Sequence, residues 1–239
     1  MKKRVVYTIC LCCSVLIGCS VRENSFSATT ALATNQSSES EAMDEMVYRE
    51  PVRPGVRSID YFLPFNHSEI RTKPITHVMI HFISNAEKNP KDPFNVKDVR
   101  DIFLEYGLSA HYMIDRSGTI YQLVSEDRVA YHAGKGSIPG LPDYDNRMNH
   151  FSIGIELLAI GTKDEMKGIL TVGKFEEIDP TLLGYTDAQY EALHQLLNDI
   201  LARNHAILRD RRHVIGHDEY APDRKTDPGS LFDWTKLGF

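Results

Sequence analysis

The pattern of hydrophobic and polar positions from about residue 51 onward is typical of an α/β domain. Residues 76–82 are apolar and rich in β-branched side chains, which predicts a buried strand. Residues 95–106 have apolar side chains at helical spacing, and Gly107 follows them as a typical helix C-terminal residue. A strand and a helix are therefore expected in this order.

Further strand patterns follow along the chain. Two β-rich runs, 110–115 and 119–124, flank Arg116-Ser117-Gly118, and this arrangement predicts a hairpin. In residues 151–158 isoleucine or leucine alternates with other side chains, which predicts another strand. Residues 213–215 predict a short last strand before an irregular tail.

A capping box predicts where the second long helix begins. Thr186-Asp187-Ala188-Gln189 has the residue types of this motif. The helix it opens has one apolar face, made by Tyr190, Leu193, Leu197 and Ile200. The economical architecture is a sheet with helices packed on it. The long connections 134–150 and 161–185 are expected to form the rim of a functional site.

The N-terminus has the pattern of a secretory signal. Lys2, Lys3 and Arg4 precede an apolar run over residues 5–17, and Gly18 follows it. As a helix this run would be about 20 Å long, too short for a hydrocarbon core of about 30 Å. We therefore expect residues 1–18 to be a signal peptide.

The residues at the end of this signal resemble the lipobox of bacterial lipoproteins. In Leu16-Ile17-Gly18-Cys19 the cysteine would be lipidated and become the mature N-terminus. The other cysteines, Cys10, Cys12 and Cys13, would leave with the signal, which excludes disulfides and catalytic thiols. The resemblance implies an extracytoplasmic protein attached to a membrane through its lipid. Because Ser20 follows the cysteine, the outer membrane is expected if the host has two.

Composition and charge narrow the choice of partners. The chain has 239 residues, 42% of them hydrophobic, which is ordinary for a soluble domain. Polar residues dominate 19–50, so a flexible tether is expected between Cys19 and a single folded domain at 51–239. The net charge of −6 becomes −9 without the three basic residues of the signal. An acidic chain is a poor candidate for binding nucleic acid, so no nucleic-acid partner is expected. A monomer is expected as well.

One segment near the C-terminus carries candidate metal chemistry. Residues 217–229 follow a predicted strand and contain His217, Lys225 and Asp227. A catalytic zinc takes three protein ligands and leaves a fourth position for water. His217 and Asp227 could supply two ligands and His81, on a predicted strand, the third. Spacing alone leaves the alternative that His81 is a hydrogen-bonded core residue.

Six sequence blocks together extend from about residue 74 to 234. They are Val78-Met79-Ile80-His81, Ser109-Ala110-His111-Tyr112, Asp115-Arg116-Ser117-Gly118-Thr119-Ile120, Ala130-Tyr131-His132-Ala133-Gly134, Ser152-Ile153-Gly154-Ile155-Glu156-Leu157 and the tail over 216–234. In this order the blocks resemble those of the zinc amidase family of N-acetylmuramoyl-L-alanine amidases and peptidoglycan-recognition proteins.

The resemblance implies a fold and a metal site. The fold would be a single α/β domain with a mixed central β-sheet flanked by helices, like that of peptidoglycan-recognition proteins. His81, His217 and Asp227 would be the ligands of Zn²⁺. Some family members have cysteine at the position of Asp227.

The resemblance also implies an N-acetylmuramoyl-L-alanine amidase acting on peptidoglycan or muropeptides. Glu156 and Lys225 fall on the two catalytic positions. Some members place a catalytic tyrosine where this chain has Ala110, so Glu156 would serve as the acid and base. Lys225 would stabilise the oxyanion, which is commonly worth about 3–4 kcal/mol. The alternatives are a solvated strand face for Glu156 and a surface lysine for Lys225.

Three further residues are expected near the site. His111 and His132 would contact substrate or support the ligands, with a purely structural histidine as the alternative. Arg224 would either be structural or bind a substrate carboxylate.

Three other functions compete with the amidase. A non-catalytic peptidoglycan-binding module on the same fold would be expected to lack a metal ligand, and all three are present. A zinc peptidase cutting the stem peptide would be expected to have a His-Glu-x-x-His helix, which the sequence lacks. A lipoprotein with a purely structural zinc would leave Glu156 and Lys225 unexplained.

Overall fold

Eight strands and four helices form in residues 50–239, the part of the chain that the computed structural model describes. The strands are β1 (Ile59–Asp60), β2 (Ser68–Ile70), β3 (His77–Ile83), β4 (Tyr112–Ile114), β5 (Ile120–Gln122), β6 (Arg128–Ala130), β7 (Ser152–Leu158) and β8 (Val214–Gly216). The helices are α1 (Val96–Tyr106), α2 (Val172–Glu176), α3 (Asp187–Arg203) and α4 (His217–Tyr220). Short 3-10 turns occur at Phe65–His67, Pro142–Tyr144, Met148–Phe151, Glu165–Gly168, Pro180–Leu182 and Trp234–Leu237.

The predicted N-terminal features lie outside the described residues. These are the signal peptide over 1–18, the lipidation site Cys19 and the tether over 19–50 except for its last residue. From residue 50 onward, no helix combines the length and the apolar character needed to cross a bilayer.

The central sheet is mixed, as the sequence predicted. Its six strands lie in the order β1-β5-β4-β7-β3-β8. β3 is parallel to both β7 and β8, β4 is parallel to β7, and β5 runs antiparallel to β4. A separate antiparallel pair joins β2 to β6. The strands β3 and β7 are therefore internal, and both are buried along nearly their whole length.

One face of the sheet packs on α3. The core here combines Val78 and Ile80 of β3 with Ile155 of β7 and with Leu193 and Leu197 of the helix. The capping box begins the helix as predicted, because the Gln189 amide donates to Thr186 Oγ1 and the Thr186 amide donates to Gln189 Oε1. Both contacts lie within four residues, which is why the sequence could predict them.

The other face is only partly covered by a helix. The apolar side of α1, with Val99 and Phe103, packs on Met113 of β4. The helix begins after Asn95, which accepts two backbone hydrogen bonds, and ends at Gly107 with φ 65°. The rest of this face belongs to β3, β7 and the segment after β8, and it carries the polar side chains of the candidate site.

Two predictions about local structure needed correction. The tail after β8 was predicted to be irregular, but it begins with the one-turn helix α4. The long connections contain short helical elements, among them α2. The strands β1, β2 and β6 were not predicted, since two or three residues are too few to show an alternating pattern.

Candidate metal centre and catalytic site

Strand register brings the candidate residues to one face of the sheet. His81 of β3 and Glu156 of β7 are direct Cα partners, so both side chains point to the same side. On the other side of β3, Ile80 pairs with Gly216, the last residue of β8. His217 follows immediately and therefore lies close to His81.

The two histidines converge on one carboxylate oxygen. Nδ1 of His81 is 2.8 Å and Nδ1 of His217 is 3.0 Å from Oδ2 of Asp227. The two imidazole rings meet edge to face, with centroids 4.6 Å apart. All three side chains are buried, and their possible ligand atoms lie within 4.8 Å of one another. The predicted ligand set therefore comes together in space.

Burial and hydrogen bonding set the charges of this group. Burial lowers the pKa of His81 to about 4, against the opposing hydrogen bond with Asp227. Burial by itself would raise the pKa of Asp227, but hydrogen bonds with His217 and His81 hold it below its usual range. A neutral imidazole and an ionised carboxylate are the forms that bind metal ions.

Glu156 is buried beside this group and lacks a partner. Its exposed fraction is 8%, and among residues 50–239 its Oε2 has no hydrogen-bond partner. Burial raises the pKa of Glu156 to about 8, with the charge of Asp227 adding to the effect and that of Lys225 opposing it. The alternative that Glu156 belongs to a solvated strand face is therefore wrong.

Lys225 lies close enough to act on this chemistry. It is half-buried, and its charge lowers the pKa of both Glu156 and His81. It also lines the same cavity as the three candidate ligands. This placement differs from that of a surface lysine pointing into solvent.

The cavity above the site has a volume of about 690 Å³. Apolar side chains on its wall include Leu108, Tyr131 and Ile169, and Asp164 and Glu165 add acidic groups. The two long connections contribute to its lining, as expected: Gly134 and Asn149 come from the first, and 164–166 and 168–169 from the second.

The three residues expected near the site have different surroundings. His132 lines the cavity, and its Nδ1 is 3.0 Å from Nε2 of His81. His111 is fully buried behind it, where Nδ1 accepts a hydrogen bond from the Gly154 amide. Arg224 Nη2 donates to the carbonyls of Ala133 and Lys135 and so fixes that loop beside His217.

Two supporting residues were missed from the sequence. The half-buried guanidinium of Arg71 donates to four backbone carbonyls, those of Glu126, Arg128, His150 and Ser152. Arg71 stands in a segment without periodic pattern, so no local signal could have found it.

Glu165, the second missed residue, ties the rim to the metal-ligand segment. Its carboxylate accepts from the amides of Thr162 and Ser230, and its carbonyl accepts from Thr226 beside Asp227. The spacing of Thr162 and Glu165 is that of a capping box, which could have indicated a local structure there.

The fold and the site together define the class of protein. It is a mixed α/β domain with a candidate metal centre of two histidines and one aspartate, and with a buried glutamate beside it. The sequence model of the N-acetylmuramoyl-L-alanine amidase family matches residues 71–230. The chain belongs to this family, as its six sequence blocks predicted.

Relatives and solved structures agree with this assignment. The 1,6-anhydro-N-acetylmuramyl-L-alanine amidase AmpD of Citrobacter freundii is 40% identical over 130 residues, which cover 54% of this chain and 55% of the relative. The chain thus spans about half the length of that curated relative. A crystal structure of an AmpD derivative has a TM-score of 0.56 at 30% identity, covering 79% of this chain and 98% of its own.

A second solved structure is a substrate complex. It is the N-acetylmuramyl-L-alanine amidase AmiD from E. coli with anhydro-N-acetylmuramic acid-L-Ala-D-gamma-Glu-L-Lys. Its TM-score is 0.52 at 28% identity, covering 71% of this chain and 59% of AmiD. With the AmpD derivative it confirms the predicted fold class.

Proposed function

We propose that this chain is a zinc-dependent amidase of peptidoglycan or soluble muropeptides. It would cleave the amide between the lactyl carbonyl of N-acetylmuramic acid and the amine of L-alanine. The observation that carries this proposal is the convergence of His81, His217 and Asp227 beside the unpartnered carboxyl of Glu156. The family assignment and the named substrate of AmiD support the choice of substrate.

The donor set fits zinc. Two imidazole nitrogens and one carboxylate oxygen are donors of catalytic zinc sites that keep one coordination position open. His81, His217 and Asp227 would hold the ion against the floor of the cavity. When bound, zinc supplies Lewis acidity, which lowers the pKa of water to about 7 and polarises a carbonyl.

Glu156 would move the proton. Its carboxyl faces the site from the neighbouring strand and is not engaged by any described hydrogen-bond donor at Oε2. The carboxylate would accept a proton from the attacking water and then deliver it to the departing amine of L-alanine. A pKa near the working pH suits a group that must do both.

Lys225 would stabilise the oxyanion that develops on the lactyl oxygen. Its ammonium group acts on Glu156 and His81 from the wall of the cavity. A positioned donor of this kind commonly contributes about 3–4 kcal/mol to the transition state.

The N-terminal sequence supports a place of action outside the cytoplasm. We expect lipidation at Cys19 to anchor the domain outside the cytoplasm, at the outer membrane if the host has two. Metabolic labelling with a fatty acid would test this. Labelled wild-type protein and unlabelled Cys19→Ser protein are expected, and label retained in the variant would contradict the assignment.

The activity is tested with purified protein and a defined muropeptide. Mass spectrometry should detect free stem peptide and peptide-free sugar, and chelator should abolish both. His81→Ala should lose zinc as well as activity. Cleavage within the stem peptide would establish the peptidase instead, and bound zinc without any product would support the binding module or the structural zinc.

A further inference from the structure

The two candidate histidine ligands differ in how their second ring nitrogen is held. Nε2 of His217 lies 2.8 Å from the carbonyl oxygen of Ala133, which can only accept a hydrogen bond. When a metal ion at Nδ1 replaces the contact of this atom with Asp227 Oδ2, the single ring proton is on Nε2, where the Ala133 carbonyl accepts it. Nε2 of His81 instead meets Nδ1 of His132 at 3.0 Å. Because either ring could donate there, the tautomer of His81 depends on that of His132.

Ser152 decides the tautomer of His132. The Ser152 hydroxyl donates its single proton to the carbonyl oxygen of Met148, at 2.7 Å. Its Oγ is then only an acceptor for Nε2 of His132, 3.2 Å away. His132 therefore carries its proton on Nε2 and leaves Nδ1 free to accept from His81. When a metal ion replaces the contact of His81 Nδ1 with Asp227 Oδ2, the single proton of this ring is on Nε2 and Nδ1 can bind the ion.

Gly154 makes room for this arrangement. A Cβ atom at this position would lie 2.5 Å from Cγ of the His132 ring and 2.7 Å from its Nδ1. The ring is rigid at these atoms, so a side chain at position 154 would have to displace it. The glycine at position 154 thus allows the His132 ring to lie within hydrogen-bond distance of His81.

We propose that His132 is a positioning residue that holds His81 in its metal-binding tautomer, and that Ser152 and Gly154 act through it. This inference rests on the proposed metal site. Partners that orient metal-bound histidines typically change metal affinity about 10–100-fold when removed. His132 would thus support metal binding with a ring nitrogen as the hydrogen-bond acceptor. Carboxylates and backbone carbonyls are the more common acceptors in this position.

The test is the zinc dissociation constant of the full-length protein, measured by competition with a chromophoric chelator. His132→Leu should bind zinc about 10–100-fold more weakly than wild type. His132→Asn should retain most of the affinity, since Oδ1 can accept where Nδ1 stood. Ser152→Ala and Gly154→Ala should both weaken binding. Ser125→Ala, a buried serine whose Oγ instead accepts from the Val52 amide, is the matched control and should bind as wild type.

Melting temperatures of the metal-free variants separate positioning from packing. If His132→Asn and His132→Leu melt alike but only the first retains affinity, the acceptor role stands. Equal loss in both, or wild-type affinity in His132→Leu, would overturn it. If wild-type protein binds zinc tightly but has no amidase activity, the proposed function is refuted. The zinc dissociation constants of the variants would still decide the role of His132.

Discussion

Replacing Glu156 by glutamine should have opposite effects on activity and on stability. The side chain is buried, one of its oxygens has no partner among the described residues, and burial raises its pKa to about 8. The native metal-free protein therefore favours the protonated carboxyl, whereas the unfolded chain ionises near the ordinary value of 4.5. Glutamine has the shape of the protonated form and never ionises.

The sign and size of the stability change follow from linkage. Since the folded pKa lies above the unfolded one, this carboxyl costs nothing below about pH 4.5 and progressively more as the pH rises to about 8. The full difference corresponds to a free energy on the order of 5 kcal/mol. Metal-free Glu156→Gln protein should therefore be more stable than wild type, by an amount that grows over this pH range. Bound zinc should reduce the gain, because a cation favours the carboxylate.

The assay is denaturant unfolding in chelator at pH 5, 7 and 8, together with the amidase rate of the zinc-loaded protein. The rate should fall about 10²–10⁴-fold while zinc is retained. Glu126→Gln is the matched control: this carboxyl is also buried, but it pairs with both terminal nitrogens of Arg203 and accepts from Tyr112. That variant should lose about 1.5–3 kcal/mol. A Glu156→Gln protein no more stable than wild type at pH 8 would refute the reasoning.

Three further predictions concern other parts of the molecule. Lys225→Ala should retain bound zinc, and its kcat should be about 10²–10³-fold lower than that of wild type. An unchanged kcat would contradict the role of Lys225 in stabilising the oxyanion. Burial lowers the pKa of His77 to about 4, with nearby His213 adding to the effect. Because the unfolded chain binds this proton more readily, the free energy of unfolding of the metal-free protein should fall as the pH drops from 6.5 to 4. In denaturant unfolding, His77→Gln should remove part of this decline. Gly107→Ala, at φ 65°, should cost about 1–2 kcal/mol in the same assay, whereas Gly173→Ala in α2, with open space and no positive φ, should not destabilise the protein.

The elements that were predicted well depend on local interactions. The capping hydrogen bonds of Thr186 and Gln189 and the αL residue Gly107 involve neighbours within one helical turn. The alternation along β7 likewise indicated which side chains share a face. For the same reason, the very short strands could not be predicted, because their existence depends on pairing partners far away in the chain.

Spacing nominated the candidate site without deciding it. His217 and Asp227 stand ten positions apart in a segment that could have served many purposes, and His81 was only the best candidate for the third ligand. The family resemblance assigned all three as ligands and supplied the expected catalytic roles of Glu156 and Lys225. The meeting of His81 with Asp227, 146 positions apart, depends on β3 lying between β7 and β8. No periodicity encodes that order of strands.

The sequence by itself determined the main helices and strands, the family and the residues to consider, because capping, periodicity and motif order are properties of short stretches of chain. Only the tertiary structure decided that Glu156 is buried without a partner, that Arg71 joins four distant carbonyls, and that Ser152 sets the tautomer of His132. Burial and hydrogen-bond direction are created when segments remote in the chain pack together, so they exist only in the folded molecule.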